Sequence, residues 1–191
     1  MKKLLASLLL FCTIATGAPL GGDFQLTDQN GKAFALHQLR GKVVLLFFGY
    51  THCPDLCPTE LGHIATVLRR LDKDGDPVRG VFITLDPARD DVATIKDYVR
   101  YFDERLIGLT GTAEAIARVA ARYQIRYQRH PQTHGDYSID HSANLYIIDR
   151  SGTVAAMIPY GLPIEHTLSV VQRIMRKNPV TDRLGQESGS S

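Results

Sequence analysis

Cysteine is scarce in this chain, and its scarcity is the first constraint. Of 191 residues only 3 are cysteine, and one of them, Cys12, falls in an apolar N-terminal stretch. The two that remain, Cys53 and Cys57, are too few for a disulfide framework. A bridge between them would close a loop so small that it hardly restricts the unfolded chain, so a purely stabilising disulfide is a poor account of the pair. Charge of one sign is lacking too. There are 22 Lys and Arg against 20 Asp and Glu, and without Lys2 and Lys3 the two sets are equal at 20 each. No basic patch marks a nucleic-acid footprint. Internal repeats and long linkers are absent, which leaves one domain, and an ordinary charged fraction of 22% argues against extensive disorder.

Long apolar runs are also missing. The run Leu4–Ala15 has 12 residues, short of the roughly 20 that a spanning helix takes. Lys2 and Lys3 ahead of it, and small residues at Ala15-Thr16-Gly17 behind it, have the pattern of a secretory leader. The expected organisation is a signal peptide at 1–17, one domain at 18–177 and a flexible tail at 178–191. The protein is expected to be exported, to the periplasm or the outer face of the inner membrane. Membrane association is left to an uncleaved leader or to the partner, and a monomer is expected.

What the chain does have is Cys53-Pro54-Asp55-Leu56-Cys57-Pro58, placed just after the apolar run Val43–Tyr50 and at the start of a helical pattern. Leu61, Ile64, Ala65, Leu68 and Leu71 follow at helical spacing, and Pro58 suits a first helical turn. The dithiol therefore sits at a helix N-terminus, where N–H groups and the dipole favour thiolate. Val43–Tyr50 and Val78–Leu85 read as buried strands, and Asp23–Leu36 reads as a hairpin around Asn30-Gly31. Helices are expected at 91–102, 112–123 and 164–175. A short strand is expected at 125–128, a polar loop at 130–136, and strands at 137–148 and 153–158 joined by the turn Asp149–Gly152. This order predicts an α/β sandwich with a central mixed sheet flanked by helices and an N-terminal β-hairpin. A dithiol between strand and helix gives it the thioredoxin-like arrangement.

Cysteines at i and i+4 on a helix have Cβ atoms about 5–6 Å apart, a spacing suited to gripping one metal ion. A disulfide needs roughly 3.5–4.5 Å, so closing the pair requires the motif to bend. Thiolates select soft ions such as copper(I), and imidazole completes such sites. Structural zinc normally takes four protein ligands, one more than two thiols and a histidine supply. Of the 7 histidines, His52, His63, His130 and His134 are expected in surface or packing roles. His141 stands apart, because it opens an apolar strand expected beside the dithiol strand. Asp55 is read as a helix cap and Asp86 as a turn former. For Asp140, a structural role and one near the metal are weighed equally.

Gly49-Tyr50-Thr51-His52-Cys53-Pro54-Asp55-Leu56-Cys57-Pro58 resembles the signature of the Sco/SenC family of copper-binding thioredoxin-like proteins. Three further blocks match in order and spacing: Phe82–Asp90, Leu109–Thr112 and Asp136–His141. The resemblance covers roughly residues 22–176. It implies copper ligation by Cys53, Cys57 and His141, and delivery of copper or reducing equivalents to the binuclear copper site of cytochrome c oxidase. The copper-bearing subunit of that enzyme, or another copper protein, is then the partner.

Three other functions compete. A thiol–disulfide oxidoreductase would attack through Cys53 and resolve through Cys57, making the two a redox-active pair. Reductases of the thioredoxin type carry a proline before the strand facing the dithiol, whereas Ile139-Asp140-His141-Ser142 has none. Peroxide reduction is suggested by Cys57-Pro58-Thr59-Glu60, but Pro54 stands where a peroxiredoxin has threonine. A structural disulfide is the remaining alternative.

Overall fold

The computed structural model describes residues 19–71, 77–133 and 136–176. The expected leader, the tail and His134 lie outside the described residues. Among the described residues no helix is long and apolar enough to cross a membrane.

The uninterrupted apolar run becomes β3 (Val43–Gly49), whose residues are all buried. Side chains alternate across a strand, so Val43, Leu45 and Phe47 enter one core while Val44, Leu46 and Phe48 enter the other. That double burial makes β3 an interior strand. It pairs in parallel with β4 (Val78–Thr84) on one side and antiparallel with β8 (Leu145–Ile148) on the other. The chain enters through the hairpin β1 (Gln25–Asp28) and β2 (Ala33–Ala35). It leaves through β8 and β9 (Val154–Ile158), joined over the expected turn. With β5 (Leu106–Thr110) the seven strands run in the order β2-β1-β5-β4-β3-β8-β9.

Helices cover both faces. Buried residues of α1 (Leu56–Arg70), α2 (Val92–Phe102) and α4 (Ile164–Arg176) share a core with the odd-numbered side chains of β3. Those of α3 (Ala113–Arg122) join the even-numbered ones. Asp91 and Thr112 cap α2 and α3 by accepting from Thr94 and Ala115 N–H. Such caps contribute about 1 kcal/mol each.

The expected mixed sheet, flanking helices and N-terminal hairpin are all present. Three local expectations need correction. Strand β5 carries little strand signal in the sequence: it is five residues long with a glycine inside and reads as a connection. The segment 137–148 is two strands rather than one. Its first half is β7 (Tyr137–His141), which pairs with β6 (Tyr127–Pro131) in a separate two-stranded ribbon. Only its second half, β8, joins the main sheet. His130 accordingly lies in a strand, not a loop.

Gly108 sits mid-strand beneath α2, and a Cβ there would run into Ile95 and Val99. Gly108→Ala is expected to lower unfolding stability by about 1–3 kcal/mol, the usual cost of overpacking. Urea denaturation of the purified protein checks this as a fall in midpoint at unchanged slope.

Candidate metal centre

The site forms where β3 ends. Gly49 closes the strand, and its carbonyl accepts from Leu85 N–H at 2.7 Å. The chain turns through Tyr50–Asp55, with Cys53 N–H donating to the Tyr50 carbonyl at 3.3 Å, and enters α1 at Leu56. Cys53 thus stands just ahead of the helix and partly exposed. Cys57 stands in its first turn and is fully buried. The two cysteines are not joined by a disulfide. Glycine is required at position 49, because a Cβ there would lie 2.8 Å from Cys57 Sγ. Its absence lets the sulfur rest against the strand.

The third member comes from the ribbon. His141 ends β7, and its Nε2 lies 3.5 Å from Cys57 Sγ. The ligand atoms of Cys53, Cys57 and His141 all fall within 4.8 Å of one another. Phe47 and Tyr50 stand edge-on to the imidazole at centroid distances of 6.2 and 6.1 Å. His141 Nδ1 lies 3.0 Å from the Ser142 carbonyl. A carbonyl only accepts, so Nδ1 carries the hydrogen and the Nε2 lone pair is presented to the sulfurs. Metal-bound histidines are commonly oriented in this way.

The two sulfurs differ electrically. A hydrogen bond from the Cys57 thiol, with further help from the Cys57 N–H, holds the Cys53 pKa down to about 4 against the opposing effect of burial. The Cys57 N–H lies 3.4 Å from Cys53 Sγ. Hydrogen bonding to Cys53, together with burial, pushes the Cys57 thiol far up. The resting pair is therefore one partly exposed thiolate and one buried thiol, which shares its proton with its neighbour. This is the arrangement in which one sulfur meets an incoming reactant and the other waits behind it.

Two buried carboxylates support the arrangement, and neither role was foreseen. Asp90 is fully buried and accepts from Thr51 N–H at 3.0 Å, Thr51 Oγ1 at 2.6 Å and Thr84 Oγ1 at 2.5 Å. It pins the loop that carries Cys53. Asp86 does more than start a turn. It is fully buried and accepts from Arg89 Nε at 2.5 Å, Tyr137 Oη at 2.6 Å and Arg129 Nη2 at 3.2 Å. Of these contacts only Asp86–Arg89 is a largely buried ion pair, and breaking such a pair from one side typically costs about 3–5 kcal/mol. The legible signal was two acids bracketing an arginine straight after a buried strand.

The other described histidines stand outside the thiol–imidazole group. His37 pairs with Asp23 at 2.6 Å, and His63 bonds Thr167 on α4 at 3.1 Å. His52 lies 3.6 Å from Asp90. His130 pairs with Asp140 at 3.1 Å, which leaves Asp140 exposed on the outer face of the ribbon. Asp55 occupies the cap position of α1, but its side chain makes no capping bond to the helix backbone. It accepts from the Thr59 hydroxyl instead, at 3.4 Å.

Residues 13–176 match the sequence model of SCO1/SenC. The chain belongs to the SCO1/SenC family. It is 45% identical over 134 residues to the bovine mitochondrial protein SCO2 homolog, an alignment covering 69% of this chain and 50% of that protein. The chain thus spans about half the length of that relative. Among solved structures it resembles copper-bound ScoI of Bradyrhizobium japonicum, at 45% identity and a TM-score of 0.75, covering 81% of this chain and 99% of that one. It also resembles copper-bound yeast Sco1, at 32% identity and a TM-score of 0.77, covering 87% and 94%.

The unequal sulfurs make a direct prediction. The reduced, copper-free protein should show one thiolate absorbance step, centred near pH 4 and assigned to Cys53, with no second step up to pH 10. Ultraviolet titration of wild type against Cys53→Ser checks this, and the step should vanish in the variant.

Proposed function

We propose that this protein is a copper metallochaperone that holds its cargo with Cys53, Cys57 and His141 and delivers it to the binuclear copper site of cytochrome c oxidase. The observation that carries the reading is the convergence of two sulfurs and one imidazole nitrogen within 4.8 Å. Two soft donors and one borderline donor suit copper(I), whereas structural zinc normally takes a fourth ligand. Membership in a family whose solved members include copper-bound structures supports copper as the ion. The match of Gly49–Pro58 to the Sco/SenC signature, with membership in that family, supports that enzyme as the destination. The leader-like pattern of residues 1–17 supports export to the compartment where such a partner's copper site is filled.

Each ligand has a distinct task in this reading. Cys53, already a thiolate and partly exposed, meets the ion first. Cys57 gives up its proton as the ion arrives, because binding requires the deprotonated sulfur. His141 supplies Nε2, its ring fixed by the Ser142 carbonyl. Three ligands leave room for an incoming sulfur from the partner, so transfer proceeds by exchange of one ligand at a time. Oxidation of the pair to a disulfide removes both sulfurs as donors and makes loading dependent on redox state.

The depressed pKa of Cys53 favours a second reading. An exposed thiolate beside a buried thiol can attack a partner's disulfide and then be resolved by Cys57. In that case the protein reduces the cysteine pair of its copper-site partner.

The reduced protein is expected to bind one copper(I) per chain in an anaerobic competition titration. Cys53→Ser or Cys57→Ser should abolish binding at that affinity. His141→Ala should weaken it by at least about 10–100-fold, the scale on which even supporting residues act at metal sites, while leaving disulfide formation intact. Unchanged affinity in His141→Ala refutes the three-ligand site. Turnover of a partner disulfide by copper-free protein, without transfer of copper by the loaded one, would replace the chaperone reading with the reductase one.

A further inference from the structure

One short turn is bonded to both segments that carry the thiol–imidazole group. Asp86 to Asp90 is tied to itself by Arg89 N–H and Asp90 N–H donating to the Asp86 carbonyl at 3.1 and 2.9 Å. From its far end Asp90 holds Thr51 by backbone and hydroxyl, two residues before Cys53. From its near end Asp86 and Arg89 hold the ribbon that carries His141. We propose that this turn is the brace that sets the sulfur–imidazole spacing, with Arg89 as a positioning residue for His141. The proposal rests on the reading of Cys53, Cys57 and His141 as copper ligands.

The geometry of β7 makes the coupling mechanical. Tyr137, Ile139 and His141 alternate onto one face of the strand, and each contacts the body of the protein. At one end the Tyr137 hydroxyl donates to Asp86, and its ring lies under the Arg89 guanidinium, 3.7 Å from carbon to centroid. In the middle Ile139 N–H donates to the Tyr50 hydroxyl at 3.3 Å. At the other end His141 reaches Cys57. Arg89 spans the joint, because its Nε binds Asp86 in the turn while its Nη1 binds Asp136, next to Tyr137, at 2.7 Å. Only a planar fork that also stacks can make these contacts together, and a lysine ammonium cannot.

If the Tyr137 end is released, the ribbon can pivot about the Ile139–Tyr50 bond. His141 lies two residues beyond that point, about 6–7 Å along a strand that rises roughly 3.3 Å per residue. A rotation of about 10° then displaces the imidazole by about 1 Å. Functional groups at such sites need placement to within about 0.5 Å, so a small loss of bracing is enough to disengage the histidine while both thiols stay in place.

The test measures copper(I) affinity by anaerobic competition in the reduced 191-residue chain. Arg89→Met and Tyr137→Phe are each made with His141 present and in the His141→Ala background. Each is expected to weaken copper(I) binding by about tenfold when His141 is present and to have no effect when it is absent. Arg89→Lys should not restore affinity. In the copper-free protein the Ile139 amide should exchange faster with solvent in both variants. Equal losses in both backgrounds overturn the brace, because the effect then does not pass through His141. No loss from either variant, alongside weakened binding in His141→Ala, also overturns it while leaving the copper-site reading intact. No effect of His141→Ala itself removes the ligand reading and the brace together. Tyr137→Phe keeps the ring and deletes one hydroxyl, so it carries the test if Arg89→Met does not fold.

Discussion

The structure turns on one close approach: His141 Nε2 stands 3.5 Å from Cys57 Sγ across 84 residues of chain. The two groups belong to different sheets, one at the end of β3 and the start of α1, the other on the separate ribbon. Bringing them together requires a strand that stops at a glycine, a helix that starts with its second residue buried against that glycine, and a ribbon docked at a fixed height. Gly49 meets the first demand by leaving space for the sulfur. Loss of any one of these features leaves two thiols or a stray imidazole, and neither arrangement is a three-ligand site.

The same geometry accounts for the inequality of the sulfurs. Cys57 is enclosed by core residues of β3 and α1, so a charge there would be poorly solvated, while Cys53 sits ahead of the helix with access to solvent. A proton shared between them settles on the buried partner, and the negative charge stays on the exposed one. In the proposed function this asymmetry orders the events: the ion is met at the surface and then enclosed. Reductase chemistry would use the same asymmetry, so the two readings draw on a single physical feature rather than on separate sites.

Much of this architecture was legible because it is written in local pattern. VVLLFFGY is apolar on both faces and becomes an interior strand. The helices follow from spacing and capping, and the two hairpins follow from Asn30-Gly31 and Ser151-Gly152. Cys53, Cys57 and His141 stand together as expected, although His141 arrives from a ribbon rather than from the main sheet. The break between β7 and β8 was hidden because Ser142-Ala143-Asn144 contains neither proline nor glycine, so the sequence reads as strand-like from Tyr137 to Ile148. Strand β5 was hidden by its brevity. The roles of Asp86 and Asp90 were hidden for another reason. The partners that tie them to the site lie 39 to 51 residues away at Thr51, Arg129 and Tyr137, and a carboxylate after a strand has the same local appearance whether it starts a turn or anchors a site.

X-ray absorption spectroscopy of the reduced, copper(I)-loaded protein tests the central claim most directly, because it counts the atoms around the ion. The account predicts two sulfur neighbours near 2.2–2.3 Å, close to the metal–thiolate distance known for zinc, and one nitrogen neighbour near 2.0 Å with the outer-shell scattering of an imidazole ring. Two sulfurs with no imidazole signal, unchanged in His141→Ala, would contradict it.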